Sequence, residues 1–80
     1  MKIKVYSTPS CPYCHLTKEF LKENNIEFED VDVSKDEAAL MEMINKSGQM
    51  GVPVIDIDGE IIIGFNRAEI ERIIKEKGGK

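Results

Sequence analysis

The sequence predicts an α/β fold of order β-α-β-α-β-β-α, with four strands in a mixed sheet flanked by three helices. Three observations carry this. Apolar residues alternate in some segments and recur at helical spacing in others. Asp58-Gly59 between two apolar runs is a two-residue hairpin signal. The chain has 80 residues, 41% hydrophobic and 32% charged, which fits one small domain spanning 1–80. A right-handed crossover in the first βαβ unit makes its strands parallel, whereas the hairpin strands are antiparallel.

Lys2-Ile-Lys-Val-Tyr-Ser7 alternates polar and apolar residues, so the first strand turns Ile3 and Val5 to one face. Thr8-Pro9-Ser10 breaks the pattern. A helix starts near Cys11-Pro12, with Ser10 as its expected N-cap and proline tolerated in the first turn. Tyr13, Leu16, Phe20 and Leu21 recur at helical spacing as its expected apolar face, and Asn24-Asn25 closes it. Ile26-Glu-Phe28 alternates as the second strand. Val31 and Val33 resume one position out of phase, which calls for a bulge or bend near Glu29-Asp30.

Ser34-Lys-Asp-Glu37 has capping-box spacing before a second helix with the stripe Leu40, Met43 and Ile44 and a stop at Gly48. Beyond the loop Gln49-Met50-Gly51, Pro53 opens a third strand through Ile57, and the hairpin leads into Ile61-Ile62-Ile63. Gly64 punctuates. Asn66 is the expected cap of a last helix that buries Ile70, Ile73 and Ile74 and ends at Gly78-Gly79.

Composition narrows the function. The net charge of −4 argues against non-specific nucleic-acid binding, which needs a basic footprint. No apolar run approaches the ~20 residues of a membrane span, and Met1-Lys2 leads straight into a strand, so a cytoplasmic monomer is expected. Two cysteines three positions apart cannot staple distant segments, and stability must rest on patterned elements.

Cys11-Pro12-Tyr13-Cys14 is the constellation that combines reactive side chains with a suitable place. Cys11 lies at a helix start, where unpaired N–H groups and the helix dipole favour an anion, and cysteines so placed can supply thiolate at neutral pH. Cys14 lies one turn further in, close enough for a disulfide. Cys11 is therefore the expected attacking sulfur and Cys14 the resolving one. Tyr13, between them, is a candidate substrate-facing ring or a core aromatic.

Rival readings exist. With His15, the motif is literally a Cys-x-x-Cys-His haem attachment pattern, for which Met41, Met43 or Met50 could serve as axial ligands. Haem attachment usually accompanies export, however, and half of this chain is strands and hairpin. A structural zinc site wants four ligands, more than two cysteines and one histidine supply. Inert buried cysteines are a third alternative. His15 is read as a surface residue, the methionines of the second helix as core filling, and the acidic run Glu27, Glu29, Asp30, Asp32, Asp36, Glu37 as a solvated face. No metal or bound cofactor is expected.

Cys11-Pro12-Tyr13-Cys14-His15 after a first strand, Val52-Pro53 before the third and a glycine turn at Gly64 together resemble the glutaredoxin family over nearly the whole chain. The resemblance implies a thioredoxin-like fold, a cis bond at Pro53, and a Val52 backbone presented beside the attacking sulfur. It also implies substrate-binding roles, with glutathione as co-substrate, for Tyr13, Val52, Pro53, Gly64, Phe65 and Asn66. Two positions depart from the family pattern. Thr8 stands where many glutaredoxins have lysine, and Asn66 stands at the aspartate position, able to accept a hydrogen bond but without formal charge.

The expected activity is thiol–disulfide exchange on disulfide-bearing or glutathionylated proteins, coupled to glutathione and the glutathione reductase system. Gly64-Phe65 followed by a polar pair is also similar to glutaredoxin-like redoxins that take electrons from thioredoxin reductase and supply ribonucleotide reductase. A different class of function, a metal or iron–sulfur carrier using Cys11, is the remaining alternative.

Overall fold

The computed structural model describes residues 2–78. Its elements follow the expected order: β1 (Ile3–Ser7), α1 (Pro12–Glu23), β2 (Glu29–Asp32), α2 (Glu37–Ser47), β3 (Val54–Ile57), β4 (Glu60–Ile63) and α3 (Arg67–Gly78). The sheet runs β2-β1-β3-β4. β1 and β2 are parallel, with Tyr6 opposite Val31, while β3 is antiparallel to both β1 and β4.

Strand alternation gives the sheet two apolar faces. Ile3, Val5, Ile55, Ile57 and Ile62 pack with Phe20 and Leu21 of α1 and with Ile70 and Ile73 of α3. Tyr6 and Val54 point the other way and pack with Ala39 and Met43 of α2. β1 and β3 are buried on both sides because helices cover both faces.

The turns follow their local chemistry. Asp58 and Gly59 both have positive φ, 50° and 96°, the type I′ geometry that matches strand twist. Gly48 ends α2 at φ 73°, donating its N–H to the Ile44 carbonyl at 2.7 Å. Asn66 caps α3, its Oδ1 accepting the Glu69 N–H at 3.2 Å. α3 reaches Gly78; Gly79, expected to share in ending it, lies outside the described residues.

Four expectations are corrected. The N-cap of α1 is Cys11 rather than Ser10, and the side chain of Asp36, not Ser34, caps α2. Ser34 instead donates its N–H and hydroxyl to Asp32 Oδ1, at 2.9 and 2.6 Å, closing the turn after β2. Ile26 and Phe28 pack against the core from a loop without pairing as strand, so the change of phase falls where the loop enters β2. On α1, Tyr13 and Leu16 are 62% and 45% exposed, and the buried face is Cys14, Thr17, Phe20 and Leu21. Thr17 can sit inside because its hydroxyl donates to the Tyr13 carbonyl at 2.9 Å.

The α2 face carries a polar cluster that has no counterpart in the sequence reading. Lys46 Nζ donates to Asp56 Oδ2 at 2.7 Å and to the Tyr6 hydroxyl at 3.1 Å, and Glu42 stands 3.4 Å away. Hydrogen bonds to Asp56 and Tyr6 hold the Lys46 ammonium above its usual range. The Gly59 N–H supplies the second bond to buried Asp56, at 2.8 Å. Among the described residues no helix is long and apolar enough to cross a membrane.

Candidate active site

β1 delivers the chain to a turn in which the Cys11 N–H donates to the Thr8 carbonyl at 3.3 Å. Cys11 is extended (φ −90°, ψ 111°), Pro12 follows at the helix start, and the His15 N–H closes onto the Cys11 carbonyl. These constraints aim the Cys11 side chain back over the first turn of α1. Its Sγ accepts the Cys14 N–H at 3.2 Å, so the sulfur does the work of an N-cap oxygen. Cys11 remains partly exposed.

Cys14, one turn along, is fully buried, and both cysteines are free thiols. Burial first, then the hydrogen bond with Cys11, pushes the Cys14 thiol up to about 12, while the Thr8 backbone and the Lys18 ammonium pull the other way. The two sulfurs thus differ sharply in environment: one lies at the surface on a helix mouth, the other is enclosed and held protonated.

The facing wall is the segment that enters β3. The Val52–Pro53 bond is cis, Pro53 is buried, and the Val52 carbonyl stands 3.8 Å from Cys11 Sγ. Gly64, at φ 79°, donates its N–H to the Pro53 carbonyl at 2.8 Å, which ties the turn after β4 to this wall. The fold thereby brings Cys11, Cys14, Val52, Pro53 and Gly64 together from three separate segments.

The other expected residues are placed differently. Phe65 is half-buried and meets Phe20 edge-to-face, with ring centroids 6.1 Å apart, so it anchors the turn to the core. Asn66 commits its Oδ1 to the cap of α3. Tyr13 projects into solvent, which removes the core-aromatic alternative. Of the second-helix methionines expected to fill the core, Met43 is fully buried, whereas Met41 is 53% exposed. His15 Nε2 lies 2.9 Å from the Pro9 carbonyl, which requires the proton on that nitrogen and fastens α1 to the turn before it.

One turn along α1 from Cys14 is a set of side chains whose pairing the sequence did not show. Lys18 Nζ lies 3.1 Å from Asp30 Oδ2, and Asp30 Oδ1 accepts the Ser7 hydroxyl at 2.9 Å. Asp30 is half exposed, as expected of the acidic run, and it also ties α1 to β1. The four-residue spacing from Cys14 to Lys18 was visible in the sequence, the partner on β2 was not. A groove of about 900 Å³ beside them, lined by His15, Lys18, Lys22, Ile26, Phe28 and Asp30, contains neither cysteine.

Comparison with known proteins agrees with this architecture. Residues 3–62 match the glutaredoxin family model. The chain is 57% identical over 74 residues to a glutaredoxin-like 8.6 kDa protein in the rubredoxin operon of Clostridium pasteurianum, covering 92% of this chain and 99% of that one. It superimposes on the T8A mutant of the thioredoxin-like protein BC3987 with TM-score 0.88 and 39% identity, covering 92% and 95% of the two chains. The glutaredoxin-like NrdH-redoxin of Escherichia coli, described as having a thioredoxin-like activity profile, gives TM-score 0.80 at 27% identity, covering 91% and 95%. With a thioredoxin-like fold that sets a dithiol at a helix mouth, and a family match running from β1 into β4, the chain belongs to the glutaredoxin family of thiol oxidoreductases.

Proposed function

We propose that the protein reduces disulfides through Cys11 and Cys14, with glutathione as its reductant. The observation that carries this reading is the asymmetry of the two sulfurs: Cys11 is accessible and faces the Val52 carbonyl at 3.8 Å, whereas Cys14 is buried behind it. Cys11, as thiolate, attacks one sulfur of a substrate disulfide; a Cys11–substrate disulfide forms, and the other substrate sulfur leaves with the bonding pair and takes up a proton. For a protein disulfide, Cys14 then attacks Cys11, the substrate departs as a thiol, and the Cys11–Cys14 disulfide remains to be reduced. For a glutathionylated protein, attack transfers the glutathionyl group to Cys11, and a second glutathione clears it as oxidised glutathione.

The Cys14 N–H, bonded to Cys11 Sγ at 3.2 Å, holds the attacking sulfur at the mouth of α1. The Val52 backbone, whose carbonyl stands 3.8 Å from Cys11 Sγ, is where the peptide around a substrate sulfur would pair. Gly64, Phe65 and Asn66 form the side where a glutathione would rest, with Tyr13 flanking the dithiol.

A second reductant has its own support. Thr8 and Asn66 leave this side without the lysine and aspartate of glutathione-binding relatives, and the NrdH-redoxin of Escherichia coli shares the fold. On that reading, thioredoxin reductase reduces the Cys11–Cys14 disulfide and ribonucleotide reductase consumes the electrons. NADPH oxidation separates the two. Turnover with glutathione plus glutathione reductase supports the first reading; turnover only with thioredoxin reductase replaces it. Cys11→Ser is expected to abolish all exchange, while Cys14→Ser retains removal of glutathione from glutathionylated protein. Equal loss in both variants on that substrate would reject the assignment of roles.

A further inference from the structure

We propose that Lys18 is a positioning residue for the resolving step: its ammonium, fixed by Asp30 one helical turn from Cys14, stabilises the charge that grows there as Cys14 attacks. The inference rests on the dithiol reading above and adds to it a residue acting on the second sulfur.

Geometry argues for this role. Residues four apart share a helix face, with about 5–6 Å between their Cβ atoms, so Lys18 stacks on the same side of α1 as Cys14. Lysine side chains usually reach for water, yet only 16% of this one is exposed. Its Nζ is pinned at 3.1 Å by Asp30 Oδ2, and the other Asp30 oxygen takes the hydroxyl of Ser7, itself buried at the end of β1. An ion pair serving only to join α1 to the sheet could lie anywhere along the helix. This one lies one helical turn from the enclosed thiol.

The surrounding charges favour the same assignment. Burial and Cys11 oppose ionisation of Cys14, the Thr8 backbone eases it, and Lys18, one turn along α1, is the cation that adds to that easing. From β2, Lys18 meets Asp30 and also draws down the Asp32 carboxyl, for which the Ser34 hydroxyl is the leading cause. His15 is turned to the Pro9 carbonyl. Asp30 is bonded to the ammonium and to β1, which holds Lys18 in place one turn from Cys14.

The step needs such a charge. In the Cys11–substrate disulfide, Cys14 loses its proton, its electron pair forms the Cys11–Cys14 bond, and the Cys11–substrate bond breaks. The departing sulfur carries away that bonding pair and takes up a proton. Negative charge therefore passes through a buried site, where a fixed cation has most effect.

Rapid mixing of reduced protein with 5,5′-dithiobis(2-nitrobenzoate) reads both steps in one trace. Attack by Cys11 releases one coloured thiolate; attack by Cys14 on the resulting mixed disulfide releases a second, its proton passing to buffer. In Lys18→Met, the first phase is expected to keep its rate and the second to slow roughly three- to tenfold at neutral pH. The pH profile of the second phase should move upward, and Lys18→Arg should restore both. An unchanged second phase and pH profile in Lys18→Met overturns the inference while leaving the dithiol reading intact. Equal slowing of both phases, or an Arg variant as slow as Met, also overturns it, assigning Lys18 to structure alone. Absence of the first phase from the unmodified protein rejects the dithiol reading itself.

Discussion

Cys11 Sγ accepts the Cys14 N–H at 3.2 Å, so one sulfur is both the exposed thiol of the site and the N-cap of α1. Cap and chemistry can be separated by substitution. Cys11→Ser keeps an acceptor at the cap and is expected to retain stability within about 0.5 kcal/mol, whereas Cys11→Ala should lose about 0.5–2 kcal/mol. Ser10→Ala, adjacent but not capping, should stay within about 0.5 kcal/mol of the unmodified protein. Urea unfolding of the three variants checks the order.

Cys14 is enclosed and its thiol is pushed up to about 12 by burial and by Cys11. Iodoacetamide at pH 8 should therefore modify Cys11 alone in the reduced protein, as read by peptide mass spectrometry. A folded-state value raised above 9.0 means that stability associated with the neutral thiol is full below pH 9 and is lost as pH climbs toward 12. Measured against Cys14→Ala, the unmodified protein should lose stability across that window and show no difference in pH dependence below it.

Lys46→Met is expected to destabilise the fold by about 1–3 kcal/mol, because buried Asp56 would keep only the Gly59 N–H among its present partners. The estimate sits below that for a fully buried pair because a third of the Lys46 side chain is exposed. Lys46→Arg should recover part of the loss. Thermal unfolding of both variants tests this, and equal stability of Met and unmodified protein would show that the cluster contributes nothing.

Gly48→Ala isolates a purely conformational cost. No atom lies within 4 Å of where the new methyl would stand, so any loss comes from holding alanine at φ 73°. About 1 kcal/mol is expected in denaturant unfolding.

Much of the fold was legible because its deciding interactions are local. Asp58-Gly59 supplies both positive φ values of the hairpin turn, Gly48 the left-handed end of α2, and Asn66 an acceptor three residues before the N–H it satisfies. Each depends on chemistry within a few residues. Cys11 and Cys14 were legible as a pair for the same reason, since one helical turn separates them wherever α1 packs.

The remaining features depend on partners distant in sequence. Apolar character alone favoured Tyr13 and Leu16 as the inner face of α1, but the buried residues beside Phe20 and Leu21 are Cys14 and Thr17. Packing against the sheet selects the face that encloses the Cys14 thiol together with the Thr17 hydroxyl, which is satisfied by the Tyr13 carbonyl. Asp56 reads as a polar interruption of an apolar strand until Lys46 of α2 meets it, and Asp30, half exposed, finds its partners only when Ser7 and Lys18 approach from β1 and α1. The sequence alone therefore determined the order of elements, their turns and the dithiol, all governed by neighbours along the chain. Tertiary structure decided which carbonyl faces Cys11, which carboxylate holds Lys18 and which polar groups are buried, because those choices belong to residues that only the folded sheet brings together.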